Sequence, residues 1–292
     1  RDTIARISSS DSSSVDISKL NVNMTADIAV DLDTALVSIN LTKPINETIF
    51  IILDYANYTV ESVDGKASIN LTDLNLGFNN ISIVLYDAVY ECNEVISNFT
   101  VEPKGTIIIL NDLETVYNSG YEYKVKLTDE DGNPLGGREI EYTLNGETGT
   151  LVTNDDGEAS LNIALETGVY TFEVIFNGEK VYINSFNSSL ITVNTSIFLL
   201  DNVYLYQGQY NVKLLDKTGI PLANQDVIIV VAGEAYNVET DENGIAKLGL
   251  DLVPGIYNIT IINPDTLEER NHSIIILPIN TTTNLEIVFN RT

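Results

Sequence analysis

One stretch of this chain is written twice, and that repetition limits the fold more than any other feature. Tyr123-KVKLTDEDGNPLGG leads to TNDDGEASLNI and then ETGVYTFEV; Tyr210-NVKLLDKTGIPLAN leads to TDENGIAKLGL and then VPGIYNITI. The landmarks pair at one offset of 87 positions: Tyr123 with Tyr210, Gly132 with Gly219, Pro134 with Pro221, Gly157 with Gly244, Gly168 with Gly255 and Tyr170 with Tyr257. Thr153 and Thr240 obey the same offset, and no gap is needed. A period of this length is a whole small domain, too long for a solenoid repeat. Gly65-KASINL is a more distant copy of Gly157-EASLNI, and Gly77 falls near the place of Gly168, but the Gly-x-Pro-Leu segment is missing from the first third. The front of that third is therefore expected to be built differently.

Within each repeat the apolar residues alternate. Tyr121, Tyr123, Val125 and Leu127 share one phase, with Glu122, Lys124, Lys126 and Thr128 on the other. Tyr170, Phe172, Val174 and Phe176 do the same, as do Ile81, Ile83 and Leu85. Period-two alternation puts one face of a strand in a core and the other in water. Turn chemistry fills the gaps: Asp131-Gly132-Asn133-Pro134, Gly219-Ile220-Pro221, Asp155-Asp156-Gly157 and Glu242-Asn243-Gly244. Tyr170 and Tyr257, two residues after a corner glycine, suit a tyrosine corner whose hydroxyl returns to the backbone. The expected fold class is all-β, as tandem immunoglobulin-like antiparallel β-sandwiches. The expected boundaries are a lead-in linker at 1–19, a divergent first domain at 20–103, a second at 104–193 and a third at 194–280. Residues 281–292 read as a terminal strand or the start of a further repeat. Modules built from such strands are each about 20–35 Å long.

Bulk properties narrow the function. The 292 residues carry a formal net charge of −27, a field that repels nucleic-acid phosphates and anionic lipid. Cys92 is the single cysteine, so no disulfide forms within the chain, and it reads as a small buried hydrophobe. The lysines Lys124, Lys126 and Lys213 sit on polar phases, which argues against a Lys–Asn isopeptide staple. No run of 18 apolar residues occurs, so no membrane contact is expected within this segment. The start at Arg1 reads as a processed protein or an excised piece.

The pattern D-x-x-G-x-P-L, then T-x-x-x-G-x-A-x-L, then G-x-Y resembles the bacterial immunoglobulin-like repeats of invasin-type proteins and of the large adhesin-like surface proteins of methanogenic archaea. It covers the second and third repeats well and the first loosely. The resemblance implies an extracellular, cell-surface setting. The partners it implies are neighbouring repeats of the same protein and molecules of a host or neighbouring cell. Such a module serves as spacer, binding tip or accessory alike, so the fold alone does not choose among them.

Small motifs add detail. The triplet N-x-[S/T], the acceptor for N-glycosylation, occurs at Asn23, Asn40, Asn46, Asn57, Asn70, Asn80, Asn98, Asn187, Asn194, Asn258, Asn271, Asn280 and Asn290. Asn40, Asn70, Asn80 and Asn258 fall on polar strand phases. Asp129-x-Asp131-x-Asn133 fails the EF-hand template, with Ile140 at its twelfth place, and its counterpart at Asp216 has lost the ligands. Calcium stays a candidate cation with no site assigned, and no other cofactor is expected. His272 and Cys92 are each alone of their kind, so neither offers a recurring nucleophile–base pair, and the chain reads as no enzyme. No exposed aromatic cluster is readable, which counts against a carbohydrate platform. The functional expectation is an extracellular stalk or adhesin-like segment; the alternative is a filament subunit in which Leu285–Phe289 pairs with a second copy by strand addition.

Overall fold

The computed structural model describes residues 18–279, and every regular element in them is a strand. Asn280, Asn290 and the proposed terminal strand lie outside the described residues, as does nearly all of the lead-in. The described residues up to Lys104, together with Gly178–Ile183, form one compact unit; Gly105–Asn177 and the residues from Asn184 onward form the other. The sheets fall into three consecutive groups along the chain.

The first group holds β1 (Leu20–Val22), β2 (Met24–Asp31), β3 (Thr34–Leu41), β4 (Thr48–Leu53), β5 (Asn57–Glu61), β6 (Lys66–Leu71), β7 (Gly77–Leu85), β8 (Tyr90–Cys92) and β9 (Val95–Val101). A three-stranded sheet β2-β3-β6 faces a four-stranded sheet β5-β4-β7-β9, and β1 pairs in parallel with β8. Ala35, Val37, Ile39, Ile49, Ile51, Ile81 and Ile83 fill the space between them. Val181 joins this core at 3% exposure, and Lys180 Nζ lies 3.2 Å from Asp73 and 3.5 Å from Asp33. The backbone of Lys104 brackets this segment: its N–H donates to Val181 O, and its carbonyl accepts from Ile183 N–H.

The second group holds β10 (Thr106–Ile109), β11 (Leu113–Val116), β12 (Glu122–Asp129), β13 (Glu139–Leu144), β14 (Glu147–Val152), β15 (Glu158–Asn162), β16 (Gly168–Phe176) and β17 (Ser185–Asn194). The third repeats it as β18 (Ile197–Leu199), β19 (Val203–Leu205), β20 (Gln209–Leu214), β21 (Asp226–Val231), β22 (Glu234–Glu239), β23 (Ile245–Gly249), β24 (Gly255–Ile262) and β25 (Glu269–Leu277). Each packs a three-stranded sheet, β10-β12-β15 or β18-β20-β23, on a five-stranded one, β11-β17-β16-β13-β14 or β19-β25-β24-β21-β22. The lead strand splits between sheets: β10 is antiparallel to β12, then β11 crosses to pair in parallel with β17. This strand switch is immunoglobulin-like. The first group reverses the order, pairing in parallel first and then forming an antiparallel hairpin of β2 with β3. Lacking the Gly-x-Pro-Leu loop, it is indeed built differently at the front.

The repeat landmarks are structural necessities. Gly157 and Gly244 have φ of +73° and +74°, and a Cβ there would sit 2.4 Å from Leu127 O or 2.5 Å from Leu214 O. Neither the torsion nor the space admits a side chain. The hydroxyls of the buried Thr153 and Thr240 donate to Leu135 O and Leu222 O, both at 2.6 Å, and accept from the N–H of Arg138 and Gln225. Gly132 and Gly219 also take positive φ, and Pro134 and Pro221 bridge back to Thr128 and Leu215. Gly168 and Gly255 do not have positive φ; a Cβ at Gly168 would stand 3.2 Å from the Tyr170 hydroxyl, and at Gly255 it would meet the Tyr257 ring at an ordinary 3.4 Å. Those tyrosines donate to Glu166 O and Val253 O, each at 2.9 Å.

Two substitutions test these locks in the third group. Gly244→Ala forces both strain and a clash and is expected to cost on the order of 2–4 kcal/mol. Thr240→Val removes the donor to Leu222 O and the acceptor of Gln225 N–H, for about 1–3 kcal/mol. Chemical-denaturation midpoints of the full chain measure both.

Candidate functional site

Among the described residues no three His, Cys, Asp or Glu side chains group as metal ligands would. Cys92 is half-buried against the first core, and that burial pushes its thiol pKa up, away from reactivity. Asp129 spends its carboxylate on its own loop: Oδ1 accepts from the N–H of Asp131 and Asn133, and Oδ2 from Asn133 Nδ2 at 2.9 Å. Asp216 does likewise for Thr218 and Ile220. No helix among the described residues is long and apolar enough to cross a membrane.

The structure sorts the glycosylation triplets. Asn23, Asn40, Asn46, Asn57, Asn70, Asn80, Asn98, Asn258 and Asn271 are exposed. Asn187 and Asn194 are half-buried and turn their amide nitrogens to Ile108 O and the Glu114 carboxylate, each at 2.8 Å. Asn40 and Asn70 share the outer face of β2-β3-β6, since Leu36 is the partner of Asn70 and stands in phase with Asn40. Asn80 and Asn98 are direct cross-strand partners on the outer face of β7 and β9.

That outer face carries an aromatic pair of one half-buried and one exposed ring. The rings of Phe50 and Tyr86 lie 5.7 Å apart, and Tyr86 is 71% exposed. Phe50 and Tyr86 are distant in sequence, and only the pairing of Phe50 with Val84 brings them together.

A polar knot that the sequence did not reveal joins the last two sandwiches. Only Thr195 and Ser196 separate β17 from β18. Glu268, 8% exposed, takes hydrogen bonds from Thr195 Oγ1 at 2.6 Å, Ser196 N–H at 2.5 Å and Ser196 Oγ at 2.7 Å. Asn263 Nδ2 donates to Ser196 Oγ and Leu215 O, while its Oδ1 accepts from the N–H of Asp265. Arg270 donates to Ile197 O, and Asn118 Nδ2 reaches Thr266 O at 2.8 Å from the second sandwich. The one legible trace was Asn263-Pro264-Asp265-Thr266, an Asx-turn composition.

At the centre of the third core the fully buried Tyr210 stacks on His272, with Oη 3.3 Å from Nε2. His272 Nδ1 is buried without a protein partner. Burial first, and the Arg270 guanidinium second, hold His272 below its ordinary value of 6.5. In the second sandwich the matching Tyr123 meets Ser189 instead, at 2.9 Å.

No protein-family model matches this chain, and no curated protein does. Solved structures similar to it include the I9–I11 tandem of titin (8% identity, 87% of this chain and 100% of that one, TM-score 0.41). The bacterial integrin-binding protein invasin is similar at 16% identity over 88% of this chain and 60% of that one, TM-score 0.38. The Escherichia coli adhesin FdeC is similar at 14% identity, over 88% of this chain and 96% of that one, TM-score 0.31. Likenesses this distant carry no argument about what the chain does.

A depressed histidine pKa means that the folded state resists a proton the unfolded state accepts. Its neutral form is cost-free above pH 6.5, and stability is lost as pH falls below that value. His272→Ser, which copies the second sandwich, is expected to flatten this part of the pH dependence. Melting of wild type and variant between pH 7.5 and 5 measures the difference.

Proposed function

We propose that this chain is a non-enzymatic stalk or adhesin-like segment of a cell-surface protein, three immunoglobulin-like modules with the boundaries drawn from the repeats. Its setting is outside the cell, in the class of large adhesin-like surface proteins to which those of methanogenic archaea belong. Its work is to carry or present an attachment site. The observation that supports this is the knot at Glu268. Sandwiches in one chain ordinarily move against each other unless their junction is large or tightly made. Here the connection is two residues long, and both are hydrogen-bonded by a carboxylate of the sandwich that follows. Such a joint sets the angle between consecutive sandwiches, which a spacer requires and a freely jointed chain lacks. Acidity fits the same role, since like charge keeps neighbouring stalks soluble and apart.

The knot has a direct test. Glu268→Ala leaves Thr195 and Ser196 without their shared acceptor, and small-angle scattering of the full chain is expected to broaden toward a mixture of conformers while each sandwich stays folded. Scattering unchanged by the substitution would remove the support for a fixed joint. Attachment assays separate presenting from mediating. A spacer gives no saturable binding of the chain to cells or immobilised glycans, and saturable binding would place adhesion in these sandwiches themselves.

A further inference from the structure

Some of the most exposed apolar side chains of this protein stand beside glycosylation triplets, in a fixed geometry. Residues two apart on a strand share a face. On β7 the outward row reads Phe78, Asn80, Ser82; on β9 it reads Ile96, Asn98, Thr100; on β24 it reads Ile256, Asn258, Thr260. Phe78 is 65% exposed, Ile96 76% and Ile256 72%. In each row the order is apolar group, acceptor asparagine, hydroxyl. The first two rows face each other head to tail: Phe78 pairs with Thr100, Asn80 with Asn98, and Ser82 with Ile96. β24 occupies in the third sandwich the place that β7 holds in the first. There Ile256 pairs with Ile275, and Asn258 with Ser273, whose hydroxyl holds the Asn258 carbonyl oxygen at 2.8 Å.

We propose that Asn80, Asn98 and Asn258 carry N-linked glycans whose first sugar folds back over the apolar residue two positions upstream, so that sugar covers Phe78, Ile96 and Ile256. The inference rests on the extracellular setting proposed above. A pyranose has one face lined with C–H groups, and an exposed apolar side chain beside its attachment point is surface that both lose from water on contact. The antiparallel register also answers the crowding of two glycans on partnered asparagines. Phe78 and Ile96 lie at opposite ends of the six-residue block, so the two sugars run apart. Asn80 Nδ2 now donates to Asp54 at 3.1 Å, an exposed contact that the modification would exchange. In the transfer step the asparagine Nδ2 attacks the anomeric carbon of a polyprenyl-pyrophosphate-linked saccharide. The C–N bond forms as the C–O bond to phosphate breaks, the lipid pyrophosphate leaves, and one Nδ2 proton passes to the transferase.

The test is to secrete the full 292-residue chain from a eukaryotic cell line that supplies such a donor, and to map occupancy by glycopeptide mass spectrometry. Glycans are expected at Asn80, Asn98 and Asn258. Their enzymatic removal is expected to raise the binding of an apolar dye and lower the melting midpoint by about 4 °C. A Phe78→Ser, Ile96→Ser, Ile256→Ser variant keeps all three triplets and is expected to show neither change on removal. The same variant made without glycans in bacteria is expected to bind less dye than the unglycosylated wild type. Empty sites on folded, secreted chain would overturn the proposal. So would glycans whose removal alters neither dye binding nor melting, or bacterial proteins that bind dye equally. None of these readouts depends on the joint at Glu268 or on cell attachment, so the stalk reading would survive such a failure.

Discussion

Contact between the inner faces of two sheets carries each sandwich, because no disulfide does. With Cys92 the only cysteine, no internal disulfide lightens the task. The cores meet across the sheets through rings: Tyr123 lies edge-on to Phe172 at 5.1 Å, and Tyr210 touches both Tyr204 and His272. Each buried aliphatic or aromatic side chain contributes about 1.5–3 kcal/mol, whereas an exposed pair such as Lys124–Glu158 at 3.4 Å contributes under about 1 kcal/mol. Apolar burial therefore decides the fold, and the polar contacts decide where chains turn and how sandwiches meet.

Much of this was legible because strands announce themselves by alternation and repeats confirm one another. The offset shared by Gly157 and Gly244 pointed to a position where only glycine fits, and the two carbonyls at Leu127 and Leu214 are the reason. The tyrosines after Gly168 and Gly255 pointed to a returning hydroxyl, and both hydroxyls do donate to the backbone four residues upstream. What escaped the sequence depends on residues far apart along the chain. Glu268 looks like any acid in an acidic protein until folding carries it to Ser196. Phe50 and Tyr86 become neighbours only through the register of β4 with β7.

The segment Gly178–Ile183 shows the same lesson in reverse. It lies in the connection between β16 and β17, where Gly168 is matched with Val193; in the third sandwich Gly255 is matched with Ile276. The connection is thus four residues longer in the second sandwich. Repeat comparison alone would call it a surface insertion. Yet Val181 is buried in the first core, and Lys180 is the cation shared by Asp33 and Asp73. Length differences between repeats can therefore mark packing rather than drift.

The split lead strand has a mechanical meaning. β11 runs parallel to β17 over four partnered residues, from Leu113–Ile191 to Val116–Asn194, and β19 runs parallel to β25 over three. β11 and β19 come just after the short first strands β10 and β18, and β17 and β25 are the last strands of their sandwiches. Tension applied along the chain pulls the parallel strands past each other rather than peeling them open. All rungs then bear the load together, and none can part before its neighbours. A hairpin tugged from its open end would instead surrender one bond at a time, so this strand order resists traction by geometry, whatever the strength of any single bond.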